Sequence, residues 1–250
     1  MSTVNADHSV LLVGGTGRTG RRVLAQLLER GVPVRAIVRS AARLPEGVAD
    51  HPLLTVVEAD LLALSAEELQ KHLEGCDTVI SCLGHNTSLK GILGPPFDLV
   101  TRAVSNLTEA AEALRPAKPV RLILMSTVSV MRPAHADTIR GSAQRLFLWA
   151  LRGVLPPARD NQSAADACAD RIGTENRFVE WVVVRPDSLL EGDVTEYRLS
   201  EALVSSIFKA DGTNMANVAH VMCELTTEVD AWRRWRAKMP VIVNAATTKA

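Results

Sequence analysis

The sequence has no excess of charge of either sign. Lys and Arg number 28 and so do Asp and Glu, so no global field points to nucleic acid or to an anionic membrane. Metal-binding spacings are missing too: Cys76, Cys82, Cys168 and Cys223 form no C-x-x-C pair and no Cys/His set, and buried free thiols are expected. No apolar run is long enough to span a bilayer. The run Val10 to Val13, behind the polar stretch Met1 to Ser9, is too short for a signal-peptide core, so a cytoplasmic location is expected. Linkers, charge blocks and repeats are absent from the 250 residues. One domain over 1–250 follows, with a core at 9–190 and a small C-terminal lobe at 191–250.

What is present is an alternation of apolar strands and amphipathic helices. Val10 to Val13 is a strand ending in glycines, and Arg18 to Arg30 carries Val23, Leu24, Leu27 and Leu28 at helical spacing. Further strands are predicted at Val34 to Val38, Leu54 to Glu58, Thr78 to Leu83, Val120 to Met125, Trp181 to Val184 and Val241 to Val243. Helices are predicted from Ser65 to Leu73, where Glu68 completes a capping box, at Phe97 to Leu114, around Ala164 to Ile172, at Met215 to Glu228 and at Val229 to Arg236. This order predicts an α/β, Rossmann-type doubly wound parallel sheet covered on both faces. Right-handed crossovers put every carboxyl end on one edge, so functional residues are expected near Gly14, Arg39, Asp60, Leu83, Ser126 and Arg185. Trp232 and Trp235 read as core anchors. The apolar stretch Ala143 to Leu155, inside the segment 132–158, fits a lid, a dimer surface or simple core packing.

Gly14-Gly15-Thr16-Gly17-Arg18-Thr19-Gly20 follows the first strand and opens the first helix. A dinucleotide pyrophosphate needs backbone N–H donors, a close chain approach and the positive end of a helix, which this arrangement supplies. Where an NAD-selective site places an acid after the second strand, this chain has Arg39, with Arg43 one turn on and Arg18 in the glycine loop. Guanidiniums there suit a 2′-phosphate, so NADP(H) is the expected cofactor. Asp60 and Leu61, after the third strand, are placed to meet the adenine. Cys82, Leu83 and Gly84, after the fourth, are placed to pass the nicotinamide ribose. His85, next in the chain, is a loop imidazole at the edge where a proton would be delivered.

At these residues the chain resembles the atypical short-chain dehydrogenase/reductase superfamily, particularly its NmrA-like and NADH-flavin/biliverdin-IXβ reductase-like branch. The matching segments are the glycine loop, Ala36-Ile37-Val38-Arg39, Arg43-Leu44-Pro45, Ala59-Asp60-Leu61, Cys82-Leu83-Gly84, Met125-Ser126-Thr127 and Val184-Arg185-Pro186, within residues 9 to 190. The resemblance adds Ser126, Arg185 and Pro186 to the cofactor set and aligns Thr127 with the superfamily's catalytic Ser/Thr, with Ser126 beside it. It also exposes a departure. Classical members use Tyr-x-x-x-Lys to pass a proton to a carbonyl oxygen; here the single tyrosine, Tyr197, is followed four residues later by Glu201, and the pair's positions fall near Gln162 and Asp166. Two functions fit: an NADPH-dependent reductase of a small conjugated substrate such as a flavin, quinone or tetrapyrrole, or a non-catalytic NADP(H)-sensing regulator. A homodimer or a regulatory protein partner is compatible with either, and neither needs a metal.

Overall fold

The structure, a computed structural model, describes residues 8–85, 94–132, 137, 139–206 and 211–245; the first seven residues of the polar stretch Met1 to Ser9 lie outside them. Strands β1 (Val10–Val13), β2 (Val34–Val38), β3 (Leu54–Glu58), β4 (Thr78–Ser81), β5 (Val120–Met125) and β6 (Val179–Pro186) pair in parallel in the order β3-β2-β1-β4-β5-β6. β10 (Val241–Asn244) extends the parallel sheet from β6. β8 (Tyr197–Ser200) then pairs antiparallel on β10 and forms the outer edge, so the sheet is parallel except at that edge. A separate parallel pair joins β7 (Ser188–Leu190) to β9 (Gly212–Asn214). The chain from 191 onward thus contributes two strands to the main sheet.

Strand alternation divides the core. Leu11 and Val13 enter one apolar cluster with Leu122, Leu124, Trp181 and Val183, while Val10 and Leu12 enter the other with Ile80, Ile123, Val182 and Val184, because successive side chains point to opposite faces. The first face is covered by α2 (Ala66–Leu73), α3 (Leu99–Leu114) and α5 (Pro156–Asp166), the second by α1 (Gly20–Glu29), α6 (Met215–Thr227) and α7 (Val229–Trp235). Trp232 and Trp235 are buried in the second cluster, and the indole of Trp232 donates to Glu180 at 2.7 Å. All four cysteines are free and buried. Among the described residues no helix is long and apolar enough to cross a membrane.

Element ends differ from the sequence reading for physical reasons. β6 runs two residues past Val184 because Arg185 is buried inside it, opposite Asp137, a pairing invisible to an apolar-run criterion. The helix around Ala164 begins earlier, at Pro156, where a proline costs no intrahelical donor, and continues into a π-helical turn at Ala167–Ile172. α4 (Ser142–Val154) buries only Leu148, and leaves Leu146, Phe147, Trp149 and Val154 exposed. Core packing therefore does not account for this apolar stretch. The Ser65–Glu68 capping box forms with both reciprocal bonds.

The turn after β1 is the tightest point of the fold. A Cβ on Gly20 would lie 2.1 Å from the Gly14 carbonyl oxygen, which already accepts the Gly17 N–H at 3.0 Å. Gly20→Ala is therefore expected to lower unfolding free energy by at least about 2 kcal/mol, because backbone rather than a movable side chain must shift. Urea denaturation of the two proteins measures this, and an unchanged midpoint would show that the turn relaxes freely.

Candidate active site

At the glycine turn, Gly14 adopts φ +79, and a Cβ there would meet the Cys82 carbonyl at 2.6 Å. The turn is thus pressed against the end of β4, and its N–H groups open toward the carboxyl edge. α1 begins with Thr19 making no side-chain cap and with no acid in its first turn. The N–H groups of Gly17, Arg21, Arg22 and Val23 donate within the turn and the helix start, whereas those of Gly15, Thr16, Arg18 and Thr19 have no partner among the described residues and, with the partial positive charge of the helix end, are left for an external anion. This geometry fits a dinucleotide pyrophosphate, which those four would hold through their backbone. Arg18 points its guanidinium to Glu191 at 3.0 Å, and Arg22 engages the other oxygen of the same carboxylate.

After β2, Arg39 and Arg43 are exposed, the second at the end of a short 3-10 turn, Ala41–Arg43. Glu58 accepts the Ala41 N–H at 2.7 Å and so fastens that turn to β3. Asp60 is exposed and its carboxylate accepts the Leu62 N–H at 3.0 Å, while Leu61 is buried. Cys82 is buried, Leu83 is half-buried and Gly84 is exposed. A Cβ on Gly84 would meet nothing within 4 Å among the described residues, so none of these demands glycine there. Burial raises the Cys82 thiol and pushes Cys168 and Cys223 up to about 12; none of the three is a thiolate nucleophile near neutral pH.

After β5, the Ser126 hydroxyl is buried and has no partner among the described residues. Thr127 Oγ1 accepts the Ser129 N–H at 3.3 Å, the local bond common for strand-end hydroxyls, which leaves its own proton free to donate. Of Gln162 and Asp166, near which the resemblance puts a tyrosine and a lysine, Gln162 binds this loop. Gln162 accepts from the Met131 N–H at 2.8 Å, donates to the Met131 carbonyl at 3.0 Å, and donates to Asp166 at 2.7 Å. Burial raises the Asp166 carboxyl. Tyr197 lies on the outer edge strand and donates to Glu224 at 2.6 Å; burial first, then Glu224, raises its pKa. It is no proton donor for the cofactor groove.

His85 has a partner that sequence reading missed. Its Nε2 lies 2.8 Å from Asp160, and that fully buried carboxylate also accepts from Val100 N, Thr101 N and Thr101 Oγ1 at 2.8, 2.9 and 2.6 Å. Asp160 thereby caps α3 in place of Asp98, whose side chain makes no cap bond. A carboxylate only accepts, so His85 donates to it from Nε2. The two residues are 75 positions apart, so no local pattern announces them.

Arg185 requires a correction: its guanidinium is no cofactor ligand. It is fully buried, pairs with Asp137 at 3.0 Å and donates to the carbonyls of Met239 and Val130. It ties the segment after β5 to β6, with Pro186, also buried, following it. Burial raises the Asp137 carboxyl, but Arg185, the Arg132 N–H and the Arg132 charge outweigh it and hold the group below its ordinary value. A carboxyl lowered on folding contributes stability above its unfolded pKa of about 4, and the contribution disappears as pH falls through the folded value. Asp137→Asn, which leaves Arg185 buried without a counter-charge, is expected to cost about 3–5 kcal/mol at pH 7 and distinctly less at pH 3. Urea unfolding at the two pH values tests this, and an equal deficit at both would contradict the ion-pair account.

The chain matches the model of a family described as NAD(P)H-binding over residues 14–228. It is 29% identical over 256 residues to the chloroplastic protein TIC 62 of Arabidopsis thaliana, a match that spans 94% of this chain and 38% of that relative. An oxidoreductase of Lactococcus lactis superposes with a TM-score of 0.68 at 20% identity, over 95% of this chain and 91% of the other. A short-chain dehydrogenase/reductase of Veillonella parvula, solved in complex with NADP, superposes at 0.65 with 14% identity over 96% of each chain. Both solved structures share the fold. With the family match running from the first glycine of the turn through the whole of α6, the chain belongs to the NAD(P)H-binding family.

Proposed function

We propose that this protein is an NADPH-dependent reductase of a small conjugated acceptor of the flavin, quinone or tetrapyrrole type. The observation that carries the proposal is the want of a Tyr-x-x-x-Lys pair: the single tyrosine, Tyr197, is followed four residues later by Glu201, and near where the resemblance expects the pair stand Gln162, which binds the Met131 backbone, and Asp166, which accepts from Gln162. Without that pair, an isolated carbonyl has no strong acid to take up its developing charge, whereas a conjugated acceptor spreads the charge itself. Bound NADPH would supply the hydride, and the protein's task is then to orient the reactants. In this proposal Arg39 and Arg43 hold the 2′-phosphate, Asp60 and Leu61 border the adenine, and Cys82, Leu83 and Gly84 border the nicotinamide ribose. Ser126 and Thr127 offer hydroxyl donors to a substrate oxygen. His85, oriented by Asp160, is the imidazole nearest the turn after β4 and would return a proton to the reduced acceptor.

One observation favours a second function, an NADP(H)-sensing regulator that signals to a protein partner without turnover. The exposed apolar side chains of α4, with Trp149 at 71% and Leu146 at 64%, form the kind of patch that protein partners cover. Titration calorimetry with NADPH and NADH, followed by stopped-flow oxidation of bound NADPH by flavin, quinone and tetrapyrrole, separates the two. The expected result is NADPH-selective binding and rapid oxidation by one acceptor class. Arg39→Ser should weaken NADPH roughly tenfold or more and leave NADH nearly unchanged, as loss of a charge-assisted phosphate contact predicts. Binding without oxidation by any acceptor would favour the regulator, and no binding would overturn both.

A further inference from the structure

The glycine loop carries a cation that is already engaged. Arg18 reaches only Glu191 among the described side chains, at 3.0 Å, whereas Arg22 holds both Glu191 and the carbonyl of Arg18, the latter at 2.7 Å. Glu191 stands on a strap that leaves the carboxyl end of β6 through β7 and meets the first turn of α1. The strap is built in. Gly192 has φ +151, and a Cβ there would fall 2.8 Å from the Asn214 side chain. Asn214 donates to the Asp193 carbonyl at 3.0 Å, and Asn217, fully buried, exchanges bonds with Thr195 at 2.8 and 3.0 Å. Asn244 closes the set with Asn214 and Asn217. Buried amides with satisfied bonds hold a chain in one place, so the strap that carries Glu191 is positioned by bonds other than those to the arginines.

We propose that Glu191 is an internal rival for the cofactor's phosphates. It holds the Arg18 guanidinium in the absence of dinucleotide and yields it when a phosphate arrives, so that cofactor affinity is set in part by a residue outside the glycine loop. The inference rests on the NADP(H) binding proposed above. Its exchange is balanced: Arg18 passes from one anion to another, and Glu191 keeps Arg22. A cleft of about 810 Å³ lined by Arg22, Gln26, Arg30, Asp193 and His220 beside Glu191 keeps the released carboxylate in water. Both Arg18 and Glu191 are more than half exposed, which makes the contact weak enough to exchange.

The test is calorimetric titration of the full chain and of Glu191→Gln with NADPH and with NADH, at low salt and at 0.5 M salt, alongside thermal midpoints. The expected result is about two- to tenfold tighter binding by Glu191→Gln at low salt, with the gain shrinking at high salt. A gain confined to NADPH assigns Arg18 to the 2′-phosphate; an equal gain for NADH assigns it to the pyrophosphate. Glu191→Asp, which keeps the charge on the same strap, should stay near the parent. Unchanged or weaker binding by Glu191→Gln, whatever its midpoint, overturns the rivalry and leaves Glu191 as a structural tie. Failure of the parent and the variant to bind either dinucleotide overturns the cofactor proposal together with this one.

Discussion

The carboxyl edge of this protein is organised around the contact between the turn after β1 and the end of β4, where Gly14 lies so close to the Cys82 carbonyl that a side chain would overlap it. That approach fixes where the Gly14 carbonyl points, and the carbonyl in turn accepts the Gly17 N–H and limits position 20 to glycine. The N-terminus of α1 is thereby set beside the turn, whose carbonyls at Gly17 and Thr19 take up the N–H groups of Arg21, Arg22 and Val23 and leave those of Gly15, Thr16, Arg18 and Thr19 without a partner among the described residues. An anion site made this way needs no charged side chain of its own, because the helix end and the backbone supply the positive potential. Arginines around it add selectivity to an attraction that already exists.

The same edge is where the fold keeps its buried charge. Both faces of the sheet are filled by aliphatic residues, and polar groups collect at the strand ends. Asp160 caps a helix 60 residues away in the chain and orients His85. Asp137 neutralises Arg185 inside β6. A buried carboxylate that accepts several hydrogen bonds resists displacement, since moving it would strand each donor. The loops that would border a ligand are therefore anchored by carboxylates at their bases while their tips carry the hydroxyls and the imidazole.

α5 supports the segment after β5: Gln162 holds the Met131 backbone on both its N–H and its carbonyl, and Asp166 accepts from the same amide. The exposed face of α4 is a departure from an ordinary sheet-covering helix: it buries one leucine and presents an apolar side outward.

Much of this was legible in the chain alone. Apolar strand runs, helical spacing at Val23, Leu24, Leu27 and Leu28, the capping box at Ser65 and Glu68, and the glycine loop are signals carried by residues within a few positions of one another, and local sterics and hydrogen bonding determine them. The parallel sheet, the cofactor family and the absence of a Tyr-x-x-x-Lys pair followed from those signals. The sequence by itself also placed Arg39, Arg43 and Gly84 at strand ends, where they are found exposed. Only the tertiary structure decided which charged and titratable groups are tied to one another: Arg185 with Asp137, His85 with Asp160, Arg18 with Glu191. The partners in these pairs lie 48, 75 and 173 positions apart. A side chain's role there depends on its neighbour in space, and no local pattern encodes that neighbour.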